Sequence, residues 1–170
     1  MGRDTFLFLC FFLKKVGKIK KNDSIFNYFI QIRQSGIRVK KAKYLNSVIV
    51  ATTMSKKDDS IVRICKKNST NYFRGSEKDV LKRITDCATQ FNSNIIVYLT
   101  ADNFLIDPLI IDWMIKKYLI LNSKFVTNSG FLKVSSNQIP LGMHVSVFDY
   151  KNLSLINKKF LNKEFREHPT

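Results

Sequence analysis

Residues 94–108 read NIIVYLTADNFLIDP, and this stretch decides the fold class. Residues 94–99 have the apolar, β-branched character of a buried strand. Asp107 and Pro108 are the start signal of a helix, because proline is well tolerated in the first helical turn. Asp102 lies between the two, shortly past the strand end, where open α/β sheets place their ligand chemistry. Strand, acidic loop and helix in this order predict one unit of an α/β protein.

The rest of the chain repeats this alternation of strands and helices. Apolar β-branched or aromatic runs predict strands, and apolar residues spaced by three or four positions predict helices. Alternation of the two indicates a mostly parallel sheet with helices on both faces. The predicted strands are residues 5–13, 47–52, 70–73, 94–99, 125–128 and 143–148. The predicted helices begin at Asp23 or Ser24, at residues 57–60, after Gly75, at Asp107 and at Tyr150, and the last of them continues to Leu161. In the helix from Asp107, the predicted core residues are Ile111, Ile115, Tyr118 and Leu119.

Length and composition predict a single domain over residues 1–170. The formal net charge is +16, but the lysines are spread in pairs along the chain and the aromatic residues stand inside apolar runs. This distribution favours a solvated basic surface over specific nucleic-acid binding, with attraction of a nucleotide triphosphate as a compatible role.

The three cysteines are scattered, which favours thiols in a reducing compartment over disulfides or a zinc site. Residues 6–13 are apolar but too few to span a bilayer, which needs about 20 residues, so we expect a cytoplasmic protein without a membrane segment.

Residues 74–81, RGSEKDVL, form the second motif. A glycine-containing turn between a strand and a helix exposes backbone N–H groups suited to an anion or a base edge, with Gly75 giving the turn its freedom. Arg74 can pair with phosphate as a bidentate donor. The alternative is structural: Ser76 caps the helix and Asp79 supplies the carboxylate three residues later, as in a capping box. Both interpretations can hold together.

Three segments follow one another in the order of motifs of a known family. Residues 74–81 match RGSEDDVL, residues 100–108 match TGDCPLIDP, and Arg166-Glu167-His168 match the start of REHVT. From about Ser24 to Thr170 the chain resembles the cytidylyltransferases that make nucleotide-activated sugar acids, of the spore-coat polysaccharide biosynthesis and acylneuraminate cytidylyltransferase type. The resemblance implies a three-layer, Rossmann-like nucleotidyltransferase fold with a mostly parallel sheet, similar to the nucleotide-diphospho-sugar transferases. It also implies transfer of CMP from CTP to a sugar acid in surface polysaccharide biosynthesis, with Mg²⁺ as cofactor.

The resemblance also assigns site residues. Asp102 stands at the family's metal-binding aspartate and is the expected catalytic and metal residue. Arg74, Ser76 and Glu77 are expected to contact the nucleotide. Gly17 and Lys18 match the final Gly-Lys of the family's ARMGSTRLPGK-like phosphate loop, although a plain basic turn explains this pair equally well.

The chain departs from the family pattern at three acidic positions. Leu141, His144 and Ser146 stand where the relatives have Asp, Asp and Glu. Together with the shortened first loop, this loss supports an alternative: a non-catalytic member that binds nucleotide weakly or assists a partner. Relatives continue beyond Thr170, and the extension is expected to supply further strands and the dimer contact, so a homodimer is left open.

Overall fold

The structure, a computed structural model, describes residues 6–10, 36–100, 103, 105–128 and 142–167, the first of these ranges by its backbone alone. The strands in these ranges are β1 (Phe6–Cys10), β2 (Ser47–Thr53), β3 (Asn71–Gly75), β4 (Ile95–Leu99), β5 (Phe125–Thr127) and β6 (Ser146–Asp149). The helices are α1 (Asp59–Lys67), α2 (Val80–Gln90), α3 (Pro108–Ile120), α4 (Tyr150–Lys159) and α5 (Lys163–Glu167), with a short 3₁₀ turn at Lys56–Asp58. The predicted helix from Asp23 or Ser24 and the ends of the predicted strand 5–13 lie outside the described residues.

The six strands form one sheet in the order β3-β2-β1-β4-β6-β5. Strands β3, β2, β1 and β4 are mutually parallel, whereas β6 pairs antiparallel with both β4 and β5. This confirms the prediction of a three-layer α/β fold with a mostly parallel sheet. The strand predicted at residues 143–148 begins later, at Ser146.

The side chains of β2, β4 and β6 are mostly buried on both faces of the sheet, which explains their continuous apolar runs. Alternate residues of β2 point to opposite sides: Val48 and Val50 pack with α1 and α3, and Ile49 and Ala51 pack with α2 and α4. Apolar residues at helical spacing form the buried face of α2: Val80, Leu81, Ile84, Cys87 and Ala88. None of the helices in the described ranges combines the length and the apolar character that a membrane crossing requires.

Aspartates begin three of the helices. The side chain of Asp79 accepts from the N–H of Lys82 at the start of α2, and Asp107 accepts from Leu109 at the start of α3. Asp149 caps α4 in the same way. Each carboxylate satisfies an otherwise unpaired helix N–H. The predicted cap at Asp107 is confirmed, whereas the predicted cap at Ser76 is wrong, because α2 begins later and Asp79 itself is the capping residue.

Helices α1, α2 and α3 end in the same way without glycine. The residues that follow the caps, Ser69, Asn92 and Asn122, have positive φ angles of 47°, 50° and 44°. The next N–H in each case returns to the helix, as in the bond from Thr70 to the Cys65 carbonyl at 2.9 Å. This is the Schellman arrangement, in which serine and asparagine take the place of the usual glycine.

One expectation about a helix face and one about a helix end need correction. Leu119 is 46% exposed, whereas Met114 and Asp112 of the same helix are buried. The carboxylate of Asp112 accepts from the backbone N–H groups of Lys43 and Tyr44 at 3.1 and 3.0 Å, which anchors the segment before β2 on α3. The last predicted helix ends at Lys159 instead of Leu161, and a second short helix, α5, follows it.

Candidate functional site

The sheet order places a switch point between β1 and β4. Strands β2 and β3 continue to one side of β1, and β4 lies on the other side. Ligands of open α/β sheets bind at such a point, beyond the carboxyl ends of the strands. In sequence, Gly17 and Lys18 follow β1 and Asp102 follows β4. These three residues lie outside the described residues, so their roles stay predictions.

Arg74, near the end of β3, binds the neighbouring loop. Its Nε donates to the Thr53 carbonyl at 2.8 Å, Nη2 donates to the Ser55 carbonyl at 2.7 Å, and Nη1 donates to the carboxylate of Asp59 at 2.7 Å. These bonds hold the segment between β2 and α1. Three of the five N–H groups of the guanidinium are therefore directed to the protein itself. Contact of Arg74 with a nucleotide through the other N–H groups stays a prediction.

Asp58 binds the same loop from the inner side. One oxygen of its buried carboxylate accepts from the hydroxyl of Thr52 at 2.7 Å and from the N–H and hydroxyl of Thr53 at 3.0 and 2.6 Å. Sequence reasoning took Asp58 only as part of a helix start. In the structure it fixes the carboxyl end of β2, because a buried carboxylate is stable only when its oxygens find donors.

The turn between β3 and α2 contains the next two predicted residues. The hydroxyl oxygen of Ser76 accepts from the N–H of Asp79 at 3.1 Å, and the Asp79 carboxylate accepts from the N–H of Lys82 at 2.9 Å. Ser76 therefore stabilises the turn that precedes the helix. The side chain of Glu77 is exposed on the same turn, where a ligand can reach it.

Arg166 joins the third motif to this turn. Its Nε and Nη2 donate to one carboxylate oxygen of Asp79 at 2.9 and 2.7 Å. The other bonds go to the Asn157 carbonyl and side-chain oxygen and to the Phe160 carbonyl, at 2.7 to 2.9 Å. Hydrogen bonds between ionised groups are shorter and stronger than neutral ones. The C-terminal helix α5 is thus bound to the start of α2, although the two residues are 87 positions apart.

Arg83 lies beneath the turn and was not identified from the sequence. It is 2% exposed, and its Nη1 donates to the Ser76 carbonyl at 2.6 Å. Burial lowers the pKa of its guanidinium, an effect that Tyr98, Asp58 and Asp79 partly oppose. An arginine within the apolar stripe of a helix reads from the sequence as a surface residue, since arginine is almost never fully buried unless it is paired.

Gly75 has a different role from the predicted one. Among the described glycines, the positive φ belongs to Gly142, at 88°, and not to Gly75. A Cβ at position 75 would lie 2.7 Å from Cγ of Arg83 and 2.7 Å from Cε1 of Phe73. Glycine is needed here because Arg83 passes directly under the backbone.

Asn103 links the loop after β4 to the segment before β6. Its side-chain nitrogen donates to the hydroxyl of Thr100 at 2.7 Å, and its side-chain oxygen accepts from the N–H of His144 at 2.7 Å. Asn103 is buried and is the next residue after Asp102. The Asn103 amide therefore joins Thr100, at the end of β4, to the segment before β6.

The positions of the family's acidic residues near β6 have other roles in this chain. The hydroxyl of buried Ser146 donates to the hydroxyl oxygen of Thr127 at 3.0 Å, which joins β6 to β5. His144 is half-buried beside Asn103. Leu141 lies outside the described residues.

The predicted Mg²⁺ site concerns the carboxylates of the chain. Within the described residues, no group of three or more histidine, cysteine, aspartate or glutamate side chains could hold a metal. Mg²⁺ binds oxygen ligands and commonly uses one or two carboxylates plus substrate phosphates. Mg²⁺ binding at Asp102 stays a prediction.

Comparison with known proteins finds one family over most of the chain. The sequence profile of the family described as cytidylyltransferase matches residues 32–170. An uncharacterized protein of Methanocaldococcus jannaschii is 39% identical over 133 residues, which are 78% of this chain and 51% of that protein. The spore coat polysaccharide biosynthesis protein SpsF of Bacillus subtilis is 28% identical over 141 residues, which are 82% of this chain and 54% of that protein. The chain thus spans about half the length of these curated relatives.

Solved structures show the same fold. A cytidylyltransferase of Leptospira borgpetersenii superposes with a TM-score of 0.75 at 29% identity, over 98% of this chain and 68% of that one. A CMP:2-keto-3-deoxy-manno-octonic acid synthetase complexed with CTP superposes with a TM-score of 0.63 at 8% identity, over 97% of this chain and 83% of that one, a likeness of fold alone. With its profile match, its relatives and its nucleotidyltransferase fold, this chain belongs to the cytidylyltransferase family.

Proposed function

We propose that the protein transfers CMP from CTP to a sugar acid in the biosynthesis of a surface polysaccharide, in the cytoplasm. The observation that carries the proposal is the position of the family motifs. The turn of residues 76–79 follows β3, and Thr100 and Asn103 follow β4, at the same edge of the sheet. The similarity to SpsF supports the polysaccharide role.

In the proposed reaction, a hydroxyl oxygen of the sugar acid forms a bond to the α-phosphorus of CTP. The bond from that phosphorus to the bridging oxygen breaks, pyrophosphate leaves with the electron pair, and the hydroxyl proton passes to water. The chain contributes positioning, which is the main source of catalysis when two substrates must meet in line. Arg74 and Arg166 hold the two ends of the turn, and Asn103 holds the loop after β4.

Mg²⁺ is the proposed cofactor, with Asp102 as its protein ligand. When bound, the cation would neutralise charge on the phosphates. We assign the metal to Asp102 because His144 and Ser146 replace two carboxylates of the family pattern. The Ser146 hydroxyl is also hydrogen-bonded to Thr127.

A second candidate function is nucleotide binding without transfer, in support of a partner protein. The observation that favours it is the same replacement. A serine hydroxyl buried between β5 and β6 carries no charge for a metal or a sugar.

Pyrophosphate release from CTP with a panel of sugar acids tests the proposal, together with CTP binding by calorimetry in the presence of Mg²⁺. Release with one acid and CTP, and not with ATP, GTP or UTP, is the expected result. CTP binding without release with any acid would favour the second candidate. Absence of CTP binding would overturn both. Sedimentation of the same sample measures whether the chain forms the homodimer that the family leaves open.

A further inference from the structure

The peptide between Ser76 and Glu77 is oriented by a buried cation. Arg83 donates to the Ser76 carbonyl at 2.6 Å from a position that is 2% exposed. In a trans peptide the carbonyl and the following N–H point in opposite directions. Because the Ser76 carbonyl points inward to Arg83, the Glu77 N–H points outward, to the surface on which the Glu77 side chain is exposed.

The Glu77 N–H has no acceptor among the residues that the structure describes. The N–H of Asp79 bonds to Ser76, and the N–H of Lys82, in the first turn of α2, bonds to Asp79. A fixed, outward N–H at the carboxyl edge of a parallel sheet is a donor prepared for a ligand oxygen. Ligand binding would require little reorganisation of the Glu77 N–H, because the turn already holds its peptide in place.

Gly75 and Arg83 act together in this turn, because the space left by the glycine lets the arginine reach the Ser76 carbonyl. The side chain of Arg83 reaches Ser76 only by passing under residue 75, where a Cβ would lie 2.7 Å from its Cγ. The flanks of the turn are bound by Arg74 and Arg166. The peptide between Ser76 and Glu77 is therefore held from the buried side by Arg83, a residue outside the motifs.

We propose that Arg83 is a positioning residue for the nucleotide: through the Ser76 carbonyl it presents the Glu77 N–H to an oxygen of CTP, either a phosphate oxygen or the base carbonyl. The proposal rests on the proposed function, since it assumes that CTP binds at this edge. Arg83 does not touch the nucleotide in this arrangement.

Arg83→Met tests the proposal, because methionine fills a similar volume but donates no hydrogen bond. We expect the dissociation constant of CTP to rise about tenfold, the order of effect of leaving a buried carbonyl unpaired and its peptide free to rotate. Lys82→Met is the matched control on the same helix: its side chain is exposed and pairs with Asp86, so CTP affinity should not change. Arg83→Lys retains a donor and should recover part of the affinity. If wild-type protein binds CTP and folded Arg83→Met binds it equally well, the inference is overturned and the proposed function stands.

Nuclear magnetic resonance of the unaltered protein provides a test that does not depend on the folding of a variant. The Glu77 amide should exchange rapidly in the free protein and become shifted and protected at saturating CTP. Pyrophosphate alone would reproduce the shift if the acceptor is a phosphate oxygen, and cytidine alone would reproduce it if the acceptor is the base carbonyl. CTP binding that leaves the Glu77 amide unshifted and unprotected would overturn the inference, whereas absence of CTP binding would overturn the proposed function as well.

Discussion

Replacement of Gly75 by alanine tests the packing of β3 over Arg83. The added Cβ would lie 2.7 Å from Cγ of Arg83, 2.7 Å from Cε1 of Phe73 and 3.2 Å from Cβ of Arg83. Two of these atoms belong to the stem of a buried side chain, which has little room to move aside. The clash must be relieved by a shift of the turn, of helix α2, or of the Phe73 ring.

The expected cost follows from two opposing effects. Overpacking by one methyl group costs about 1–3 kcal/mol. Loss of glycine's freedom in the unfolded chain returns about 0.4–1 kcal/mol. The midpoints of the two ranges give a net destabilisation of about 1.3 kcal/mol. A domain of this size changes its melting temperature by about 2–4 °C per kcal/mol, so we expect a decrease of about 3–5 °C.

Thermal unfolding followed by circular dichroism measures this change, and Gly36→Ala is the matched control. Gly36 lies in a short helical segment, residues 36–39, and a Cβ at Gly36 would meet no atom within 4 Å. Because alanine is the better helix former, this variant should melt at the wild-type temperature or above. An unchanged or raised melting temperature of Gly75→Ala would refute the assignment of Gly75 to close packing over Arg83.

Three further predictions concern the hydrogen bonds of Arg166, the metal and the buried thiols. Arg166→Lys should lower stability by about 1–3 kcal/mol, because lysine cannot reproduce the five bonds to Asp79, Asn157 and Phe160; equal midpoints of urea unfolding would contradict this. Asp102→Asn should abolish the Mg²⁺ dependence of CTP binding without changing the melting temperature, since asparagine keeps the shape of aspartate; equal Mg²⁺-dependent affinities would place the metal elsewhere. Burial raises the pKa of Cys65 to about 11 and that of Cys87 to about 12, so peptide mapping after iodoacetamide treatment at pH 8 should show both thiols unmodified in the folded protein and modified in urea. Because both pKa values rise above the ordinary value of 9.0 on folding, the stability that these thiols contribute is complete below pH 9 and is lost as the pH rises towards 11 to 12.

Local sequence patterns were enough to identify most helices and strands and the family. Periodicity placed α2, α3 and the central strands within a few residues, because apolar spacing reflects which face of an element is buried. Asp107 before Pro108 marked the start of α3 correctly, since capping depends only on neighbouring backbone groups. The motif order likewise identified the cytidylyltransferase family.

Tertiary structure decided what the motif residues do to one another. The sequence predicts that Gly75 is needed for the backbone freedom of a turn. The packing of Arg83 beneath it shows instead that glycine is needed because there is no space for a Cβ. Arg166 and Asp79 meet across 87 positions, a contact that no local pattern encodes. The start of α2 was misplaced for a similar reason, because Ser76 and Asp79 are both good capping residues. In the structure Asp79 is the cap, and Arg83 and Arg166 bond to the turn in this arrangement. Long-range hydrogen bonds of buried charged groups depend on the whole fold, and so they are read from the structure alone.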